Sequence, residues 1–431
     1  MTSTKVNRIL VTLGAGAALL MGTALPSLAD TVTLKFLVTT TPNDLNAAKA
    51  LAAAFEAKNP DIKIDVETRP GGSPGDNIVK TRLATGDMTD VFEYNSGSLF
   101  RAIDPERNLV DLSDQPWQSD LDDTFKQVVS VNGKYYGAPI GGAGAGGVLY
   151  NKKVYADLGL SVPKTWAEFI ANSEKIKAAG KVAPIIQTFK TTWTSQLFVL
   201  GDFYNVLQAV PDFPQNYTAN KAHYADTPAA MKGFEHQAEV FKDGLLNTDF
   251  ASASYDDGVK MLATGAGAQY PQLTFTLAAV TANYPDNVKD IGFFALPGDD
   301  ANKNGATVWL PAGVYIPTTT QHLDQAKKFL AFIASPEGCD VQTKAVGVTG
   351  PYVVKDCTLP ADVPPMVSDL NAYFKAGKTA PALEFLSPVK GPSLEQITVE
   401  VGSGITSPQD GARLYDEDVK KEAQQLGLPG W

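Results

Sequence analysis

Apolar and polar residues alternate near the start of the chain in a way that predicts a strand, a helix and a second strand. Residues 31–38, TVTLKFLV, alternate apolar side chains with Thr and Lys, and Leu37 breaks the alternation as in a strand buried on both faces. Residues 43–60 repeat apolar side chains at helical spacing, and residues 62–68, IKIDVET, return to a period of two. This βαβ order predicts an α/β fold with a parallel sheet covered by helices.

Residues that begin and end helices support this pattern. Asn43 or Asp44 can cap the first helix, and Pro60 ends it. Farther along, Thr165 and Glu168 match a capping box and predict another helix start. The chain has 431 residues, which is enough for two domains of about 100–200 residues each.

The first 29 residues have the three parts of a secretory signal peptide. Lys5 and Arg8 precede an apolar run over residues 9–21, and Ser27 and Ala29 are small residues at positions −3 and −1 of a cut after Ala29. The apolar run is shorter than the roughly 20 residues that span a bilayer. We therefore expect a secreted, periplasmic protein.

Composition narrows the classes of function. Without Lys5 and Arg8 of the leader, the formal net charge changes from −11 to −13. An acidic chain lacks the basic footprint that neutralises phosphates, so we expect no nucleic-acid partner. The two cysteines, Cys339 and Cys357, are too few for a Cys-rich zinc site. An oxidising compartment would allow them to form a disulfide.

Residues 141–150, GGAGAGGVLY, contain the spacing G-x-G-x-x-G through Gly142, Gly144 and Gly147. A dinucleotide site needs a helix to begin directly after these glycines, so that its N-terminus meets the phosphates. The residues that follow are typical of a strand and have no helix cap before them. We therefore favour a close crossing of two backbone segments over a nucleotide site, because glycine fits where a side chain would clash.

Other motif matches lack an essential residue. Residues 71–75, GGSPG, fit the hydrolase pattern G-x-S-x-G, but Pro74 has no backbone N–H for an oxyanion hole. The calcium-loop pattern that begins at Asp300 has Pro311 where a bidentate Glu is needed. The three histidines show no metal-binding spacing. We expect no metal, no cofactor and no catalytic residue, although a Ser-His-Asp triad built from distant residues stays open.

Aromatic residues near strand ends and polar loops are candidates for ligand contact. They are Tyr94, Trp193, Tyr270, Trp309 and Tyr352. Ligands of open α/β sheets bind at the carboxyl ends of the strands, and a flat ring offers an apolar face to the C–H patches of a sugar. The alternative for each ring is a place in the core, where large aromatics are also common.

Six segments stand in the order found in a known family. They are AAFEAKNPDIKIDVET, TRLATGDMTDVFEYNSGS, NGKYYGAPIGGAGAGGVLYNKKVYADLGLSVPKTWAEF, IGFFALPGDD, AKKFLAFIASPEG and VGVTGPY. The chain resembles the extracellular solute-binding proteins of bacterial ABC transporters, in the carbohydrate-binding branch that includes maltose-binding protein. The family often has glycine-rich sequence where TVWLPAGVYIP stands here, so Trp309 departs from the pattern.

The resemblance implies a two-lobed periplasmic-binding-protein fold of type II, with a ligand cleft and a hinge between two α/β lobes. The first lobe would comprise residues 31–138 plus 290–347, and the second would comprise residues 139–289 plus 348–431. The glycine run would then lie at the hinge, beside the cleft. Ligand binding would close the lobes.

The implied role is that of a monomeric periplasmic receptor that binds a mono- or oligosaccharide and delivers it to the membrane permease without chemistry. We expect hydrogen bonding from two βα loops and stacking from aromatic rings, through Thr41, Asn43, Asp44, Tyr94, Asn95, Ser96, Trp193, Tyr270, Trp309 and Tyr352. Two alternatives stay open. One is a non-sugar solute such as a polyol, a phosphodiester or a polyamine, and the other is an exported glycan-active enzyme with paired carboxylates across the cleft.

Overall fold

The computed structural model describes Met1 and residues 31–431, and within them two large β-sheets are flanked by helices and a small third sheet has two strands. Apart from Met1, the predicted signal peptide lies outside the described residues. The strands are β1 Val32–Thr39, β2 Ile62–Arg69, β3 Val91–Tyr94, β4 Ser130–Val131, β5 Lys134–Tyr135, β6 Gly137–Ile140, β7 Gly144–Asn151, β8 Ala183–Ile185, β9 Gly267–Leu273, β10 Ile291–Phe294, β11 Ala306–Trp309, β12 Ala312–Tyr315 and β13 Thr379–Pro381.

The helices cover both faces of the sheets. They are α1 Pro42–Lys58, α2 Gly72–Thr85, α3 Ser98–Arg101, α4 Pro105–Asn108, α5 Asp123–Val128, α6 Lys152–Asp157, α7 Trp166–Ala179, α8 Leu197–Leu200, α9 Phe203–Ala209, α10 Phe213–Thr218, α11 Pro228–Lys242, α12 Tyr255–Thr264, α13 Thr276–Asn283, α14 Leu323–Ile333, α15 Pro336–Val346, α16 Pro365–Lys375, α17 Leu383–Leu386, α18 Leu394–Gly402 and α19 Pro408–Gln425. Short 3₁₀ segments span Pro116–Asp120, Thr192–Gln196, Pro285–Asp290 and Ala301–Lys303. Of the helices in residues 31–431, none combines the length and the apolar character needed to cross a bilayer.

The first sheet has the strand order β2-β1-β3-β12-β6. β1 pairs in parallel with β2 and with β3, which confirms the predicted βαβ unit of β1, α1 and β2. β12 runs antiparallel between β3 and β6. The carboxyl ends of β1, β2 and β3 therefore meet at one edge of this sheet, where α/β folds bind their ligands.

The start of α1 differs from the predicted one. Thr41 is the N-cap residue, and Pro42 takes the first helical position, where its missing N–H leaves no bond unmade. Neither Asn43 nor Asp44 caps the helix. Asp44 lies in the first turn and accepts hydrogen bonds from the hydroxyls of Thr39 and Thr41, so it ties α1 to the end of β1.

The second sheet has the order β13-β11-β7-β9-β8, with β10 also paired to β7. Residues 139–140, predicted in the second lobe, belong to β6 of the first sheet, and the predicted lobe boundaries are wrong over two longer segments. Residues 290–309 were assigned to the first lobe, but β10 and β11 both pair with β7 in the second sheet. Residues 353–357 were assigned to the second lobe, but they pack against the core of the first. The error over residues 290–309 arises because the chain crosses between the lobes at residues 310–311, after β11.

The glycine run makes another crossing, between β6 and β7. A Cβ on Gly142 would lie 2.7 Å from the carbonyl oxygen of Gly350, and a Cβ on Gly350 would lie 1.8 Å from that of Ala143. The Ala143 N–H donates to the Pro351 carbonyl at 2.7 Å. Two backbone segments thus cross in contact, as predicted, and a strand follows the glycines where a dinucleotide site would need a helix.

A disulfide lies beside a third crossing of the chain, which directly follows Cys357. It joins Cys339 in α15 to Cys357, with 6.0 Å between their Cα atoms, and both residues pack in the first lobe. Leu359 and Val363, directly after Cys357, pack against the core of the second lobe. The disulfide therefore fixes the first-lobe end of this crossing to α15.

Candidate functional site

A cavity of about 320 Å³ lies between the two lobes. The first lobe contributes the loops that follow β1, β2 and β3. The second lobe contributes the 3₁₀ segment Thr192–Gln196, the end of β11 and a stretch over residues 384–395. The volume lies at the lower end of the roughly 300–1,000 Å³ that is typical of small-molecule sites. The two-lobed α/β fold with a ligand cleft, predicted from the sequence, is confirmed.

Most of the predicted site residues lie in the wall of this cavity. They are Thr41, Asn43, Asp44, Asn95, Trp193, Trp309 and Tyr352. They come from both lobes and from the crossing segments. The structure thus brings together hydrogen-bonding groups and aromatic rings that are up to about 300 residues apart in the sequence, since Thr41 and Tyr352 share one cavity.

Three predicted residues do not line the cavity. Tyr94 is fully buried in the first core. Ser96 is also buried, and its hydroxyl donates to the Pro311 carbonyl at 2.9 Å, beside a crossing. Tyr270 is a core residue of β9 whose hydroxyl shares a hydrogen bond of 2.8 Å with that of Thr188. Successive residues of a strand face opposite sides, so proximity to a strand end did not reveal which of them reach the cleft.

Asp44 is the centre of a hydrogen-bonded loop on the first-lobe wall. Its carboxylate accepts from the hydroxyls of Thr39 and Thr41, the latter at 2.5 Å, and from the Asn43 side-chain amide at 2.7 Å. Burial raises the pKa of Asp44, and the two hydroxyl bonds and the charge of Arg69 oppose that shift. The loop therefore holds an acceptor-rich carboxyl group in a fixed position at the end of β1.

A second group of charges lies behind this loop, at the ends of β2 and β3. The buried Arg69 guanidinium lies 3.7 Å from the Glu93 carboxylate and donates to the Glu93 carbonyl at 3.1 Å. Burial, reinforced by the neighbouring Asp44, raises the pKa of Glu93 to about 7. Burial also raises the pKa of Asp76, against the attraction of Arg69. Within residues 31–431, no group of His, Cys, Asp or Glu side chains is arranged to hold a metal ion.

Sequence reasoning missed these charged residues, although one of them had a detectable signal. Glu93 stands between Phe92 and Tyr94 in a strand buried on both faces, where a carboxyl group is unusual. A charged residue in such a strand calls for a specific partner, and Arg69 supplies it. Asp76 in α2 had no comparable signal.

The second-lobe wall of the cavity contains an ion pair and the aromatic ring of Trp309. The Trp309 indole N–H donates to one oxygen of Glu384, and Lys390 contacts the other oxygen at 3.1 Å. The six-membered ring of Trp309 lies on β7, because a Cβ added to Gly146 would be 2.5 Å from Cζ3 of the indole. This explains a second glycine of the run: a side chain at position 146 would displace the ring.

The other two predicted aromatic residues of the cavity, Trp193 and Tyr352, are held by packing and by hydrogen bonds; the Tyr352 hydroxyl donates to the Cys339 carbonyl at 3.2 Å. The Trp193 ring packs on Tyr255 and Phe275, with centroid distances of 5.4 and 5.8 Å. The Tyr352 hydroxyl shares a hydrogen bond of 2.7 Å with that of Thr343. Both rings lie in the cavity wall, one in the second lobe and one in a crossing segment.

A carboxylate of the second lobe reaches across the cleft to the first. Glu395 in α18 accepts from the backbone N–H of Ser73 at 2.8 Å and from its hydroxyl. Its other oxygen accepts from the Thr192 hydroxyl of its own lobe at 2.8 Å. Ser73 lies in the first turn of α2, whose N-cap residue Gly71 has no side chain to bond these N–H groups. Glu395 therefore caps a helix of the opposite lobe, and sequence reasoning gave no sign of it.

Comparisons with known proteins identify the family of this chain. The family model for bacterial extracellular solute-binding proteins matches residues 39–338. The multiple sugar-binding protein of Streptococcus mutans is 26% identical over 70% of this chain and 72% of its own length. The melibiose/raffinose/stachyose-binding protein MelE of Bacillus subtilis is 24% identical over 90% of this chain and 89% of its own length.

Solved structures share the fold at low sequence identity. A chitin oligosaccharide binding protein superposes with a TM-score of 0.78 at 20% identity, over 92% of this chain and all of that one. The binding protein RafE in complex with raffinose gives a TM-score of 0.75 at 21% identity, over 91% of this chain and all of that one. Because the family model covers well over half of the sequence, this chain belongs to the bacterial extracellular solute-binding proteins.

Proposed function

We propose that this chain is the secreted solute receptor of an ABC importer and that it binds a sugar in the cavity between its lobes. The proposal rests on one observation: the cavity between the lobes contains an indole face together with carboxyl, amide and guanidinium groups. An aromatic face packs on the apolar C–H patches of a sugar, while directional polar groups bond its hydroxyls. The relatives named for sugars support the same class of solute.

Each wall of the cavity has a separate role in this proposal. Asn43, Asp44 and Asn95 bond the sugar hydroxyls from the first lobe, and Trp193 and Trp309 stack on it from the second. Tyr352 contacts it from a crossing segment. The lobes close around the sugar by hinge motion, and the closed form docks on the membrane permease. The protein acts in the periplasm as a monomer and performs no chemistry on its ligand.

The charged residues of the cavity distinguish between the alternative classes of solute. Two cations, Arg69 and Lys390, face an excess of carboxyl groups, which are Asp44, Asp76, Glu93, Glu384 and Glu395. This excess opposes a phosphodiester, whose recognition needs cationic donors. It favours a cationic polyamine as the second candidate, because carboxyl groups in excess of the cations attract amines.

The test is thermal unfolding and calorimetric titration of residues 30–431. The panel contains melibiose, raffinose, stachyose and maltotriose, together with spermidine and a glycerophosphodiester. A ligand at 100 times its Kd stabilises a protein by about 2.7 kcal/mol, which raises the Tm measurably. We expect the shift with a sugar. A shift with spermidine alone would replace the sugar by a polyamine, and release of shorter sugars during long incubation would indicate an enzyme.

Replacement of Trp309 by alanine tests the site itself. We expect Trp309→Ala to weaken sugar binding by about tenfold or more, because an aromatic contact contributes about 0.5–1.5 kcal/mol beyond the burial of its area. The Tm should change little, since the ring is partly exposed in the cleft. Trp431→Ala is the control, because this ring packs in the second lobe and does not line the cavity. A fall in Tm with unchanged affinity would refute the proposal that the Trp309 ring stacks on the sugar.

A further inference from the structure

The indole of Trp309 is held on two sides before any ligand contacts it. Its six-membered ring rests on the backbone of β7 at Gly146, where a Cβ would lie 2.5 Å from Cζ3 and 3.2 Å from Cη2. Its ring nitrogen donates to Glu384. A ring that is seated on one face and bonded at one edge cannot rotate without losing both contacts, so its free face keeps one direction.

Glu384 is itself fixed by an ion pair. Its side chain is 8% exposed, and its second oxygen lies 3.1 Å from the Lys390 ammonium, which is 15% exposed. Both carboxylate oxygens are therefore used by the indole and the ammonium. A buried carboxylate with both oxygens bonded is a rigid acceptor, because its rotation would break the bond to one partner or to both.

We propose that Glu384 is a positioning residue that sets ligand affinity through Trp309, by holding the indole in its ligand-stacking orientation before binding. This inference rests on the proposed sugar-binding function. A side chain that must be immobilised on binding costs about 0.5–1.5 kcal/mol, so a pre-oriented ring gains up to about tenfold in affinity. Lys390 acts one step farther away, by holding Glu384.

Two substitutions at position 384 separate the hydrogen bond from the charge. Glu384→Ala removes the acceptor, so we expect about tenfold weaker binding of raffinose, or of the sugar that the panel identifies. Glu384→Gln, made together with Lys390→Met so that no ammonium competes for the single amide oxygen, keeps an acceptor for the indole, and we expect its affinity to stay within about threefold of the wild-type value. Equal losses in the two variants would overturn the role of the hydrogen bond.

A double-mutant cycle tests whether Glu384 acts through the indole. If it does, Glu384→Ala adds nothing in a Trp309→Phe background, because no indole N–H remains to be held. The matched control is Trp193→Phe, whose ring packs on Tyr255 and Phe275, away from Glu384. There the two losses should add. Additive losses with Trp309→Phe would overturn the proposal and indicate direct contact between Glu384 and the ligand.

A spectroscopic measurement keeps the proposal testable without any ligand. The near-UV circular dichroism of the wild type minus that of Trp309→Phe reports the fixed asymmetric surroundings of this indole. The band should be lost in Glu384→Ala and in Gly146→Ala, and it should persist when Glu384→Gln is combined with Lys390→Met. Persistence in Glu384→Ala would overturn the positioning role. If no sugar binds to the wild type, the proposed function fails, whereas this measurement still decides whether Glu384 orients the ring.

Discussion

Replacement of Glu395 by glutamine should open the cleft and weaken sugar binding. The Glu395 carboxylate of the second lobe accepts hydrogen bonds from the Ser73 N–H and hydroxyl of the first lobe. Its bond to Thr192 stays within its own lobe and aims the carboxylate across the cleft. Separation of the lobes would break only the bonds to Ser73, so these bonds contribute to the closed state and not to the open one.

The size of the effect follows from these contacts. A hydrogen bond to a charged group contributes about 1.5–3 kcal/mol and a neutral one about 1 kcal/mol, so a neutral amide loses part of each bond to Ser73. Loss of a negative charge at the N-terminus of α2 removes a further 0.3–1 kcal/mol or so. These contributions sum to about 1–5 kcal/mol, and a loss of about 1–3 kcal/mol changes the ratio of closed to open protein by about 5–150-fold. We expect about a tenfold rise in Kd, near the lower end of this 5–150-fold range, because water replaces the lost contacts.

Calorimetry and stopped-flow tryptophan fluorescence give Kd and the dissociation rate. The dissociation rate should rise and the association rate should stay nearly constant, since the contact forms after the ligand has entered. Glu417→Gln makes the same charge change on an exposed face of α19 and should have no effect. Small-angle scattering of the ligand-free Glu395→Gln variant should give a larger radius of gyration. Values of Kd and dissociation rate within twofold of the wild type would refute the reasoning.

Three further predictions concern stability. Burial raises the pKa of Glu93 from 4.5 to about 7. Its contribution to stability is therefore present below pH 4.5 and is lost as the pH rises through 7. Urea unfolding of Glu93→Gln at several pH values should lack this part of the pH dependence. Reduction of the Cys339–Cys357 disulfide, with a sequence separation of 18, should lower the free energy of unfolding by about 3 kcal/mol, and a variant with serine at both positions should not respond to reductant. Gly350→Ala should destabilise the fold by about 1–3 kcal/mol, because the new Cβ would meet the Ala143 carbonyl, and an unchanged urea midpoint would contradict the close crossing.

The elements of secondary structure could be predicted because their signals are local. The first strand, helix and strand follow from periodicity alone, and the glycine run was interpreted as a backbone crossing from the residues around it. Lobe membership could not be predicted in the same way. The chain crosses at residues 310–311, and nothing local in the sequence marks the pairing of β10 and β11 with β7. Strand pairing is decided between segments far apart in the chain.

The residues of the site also divide into those that local sequence signals predict and those that only tertiary contacts reveal. The sequence by itself determined that Thr41, Asn43 and Asp44 follow a buried strand, and the carboxyl ends of parallel strands meet at one edge. Only the tertiary structure decided that Glu93, and not its neighbour Tyr94, lines the cavity, because adjacent strand residues face opposite sides. Only the tertiary structure also brought the segment over residues 384–395 to Trp309 and Ser73, because those contacts depend on how two lobes dock and leave no period in the sequence.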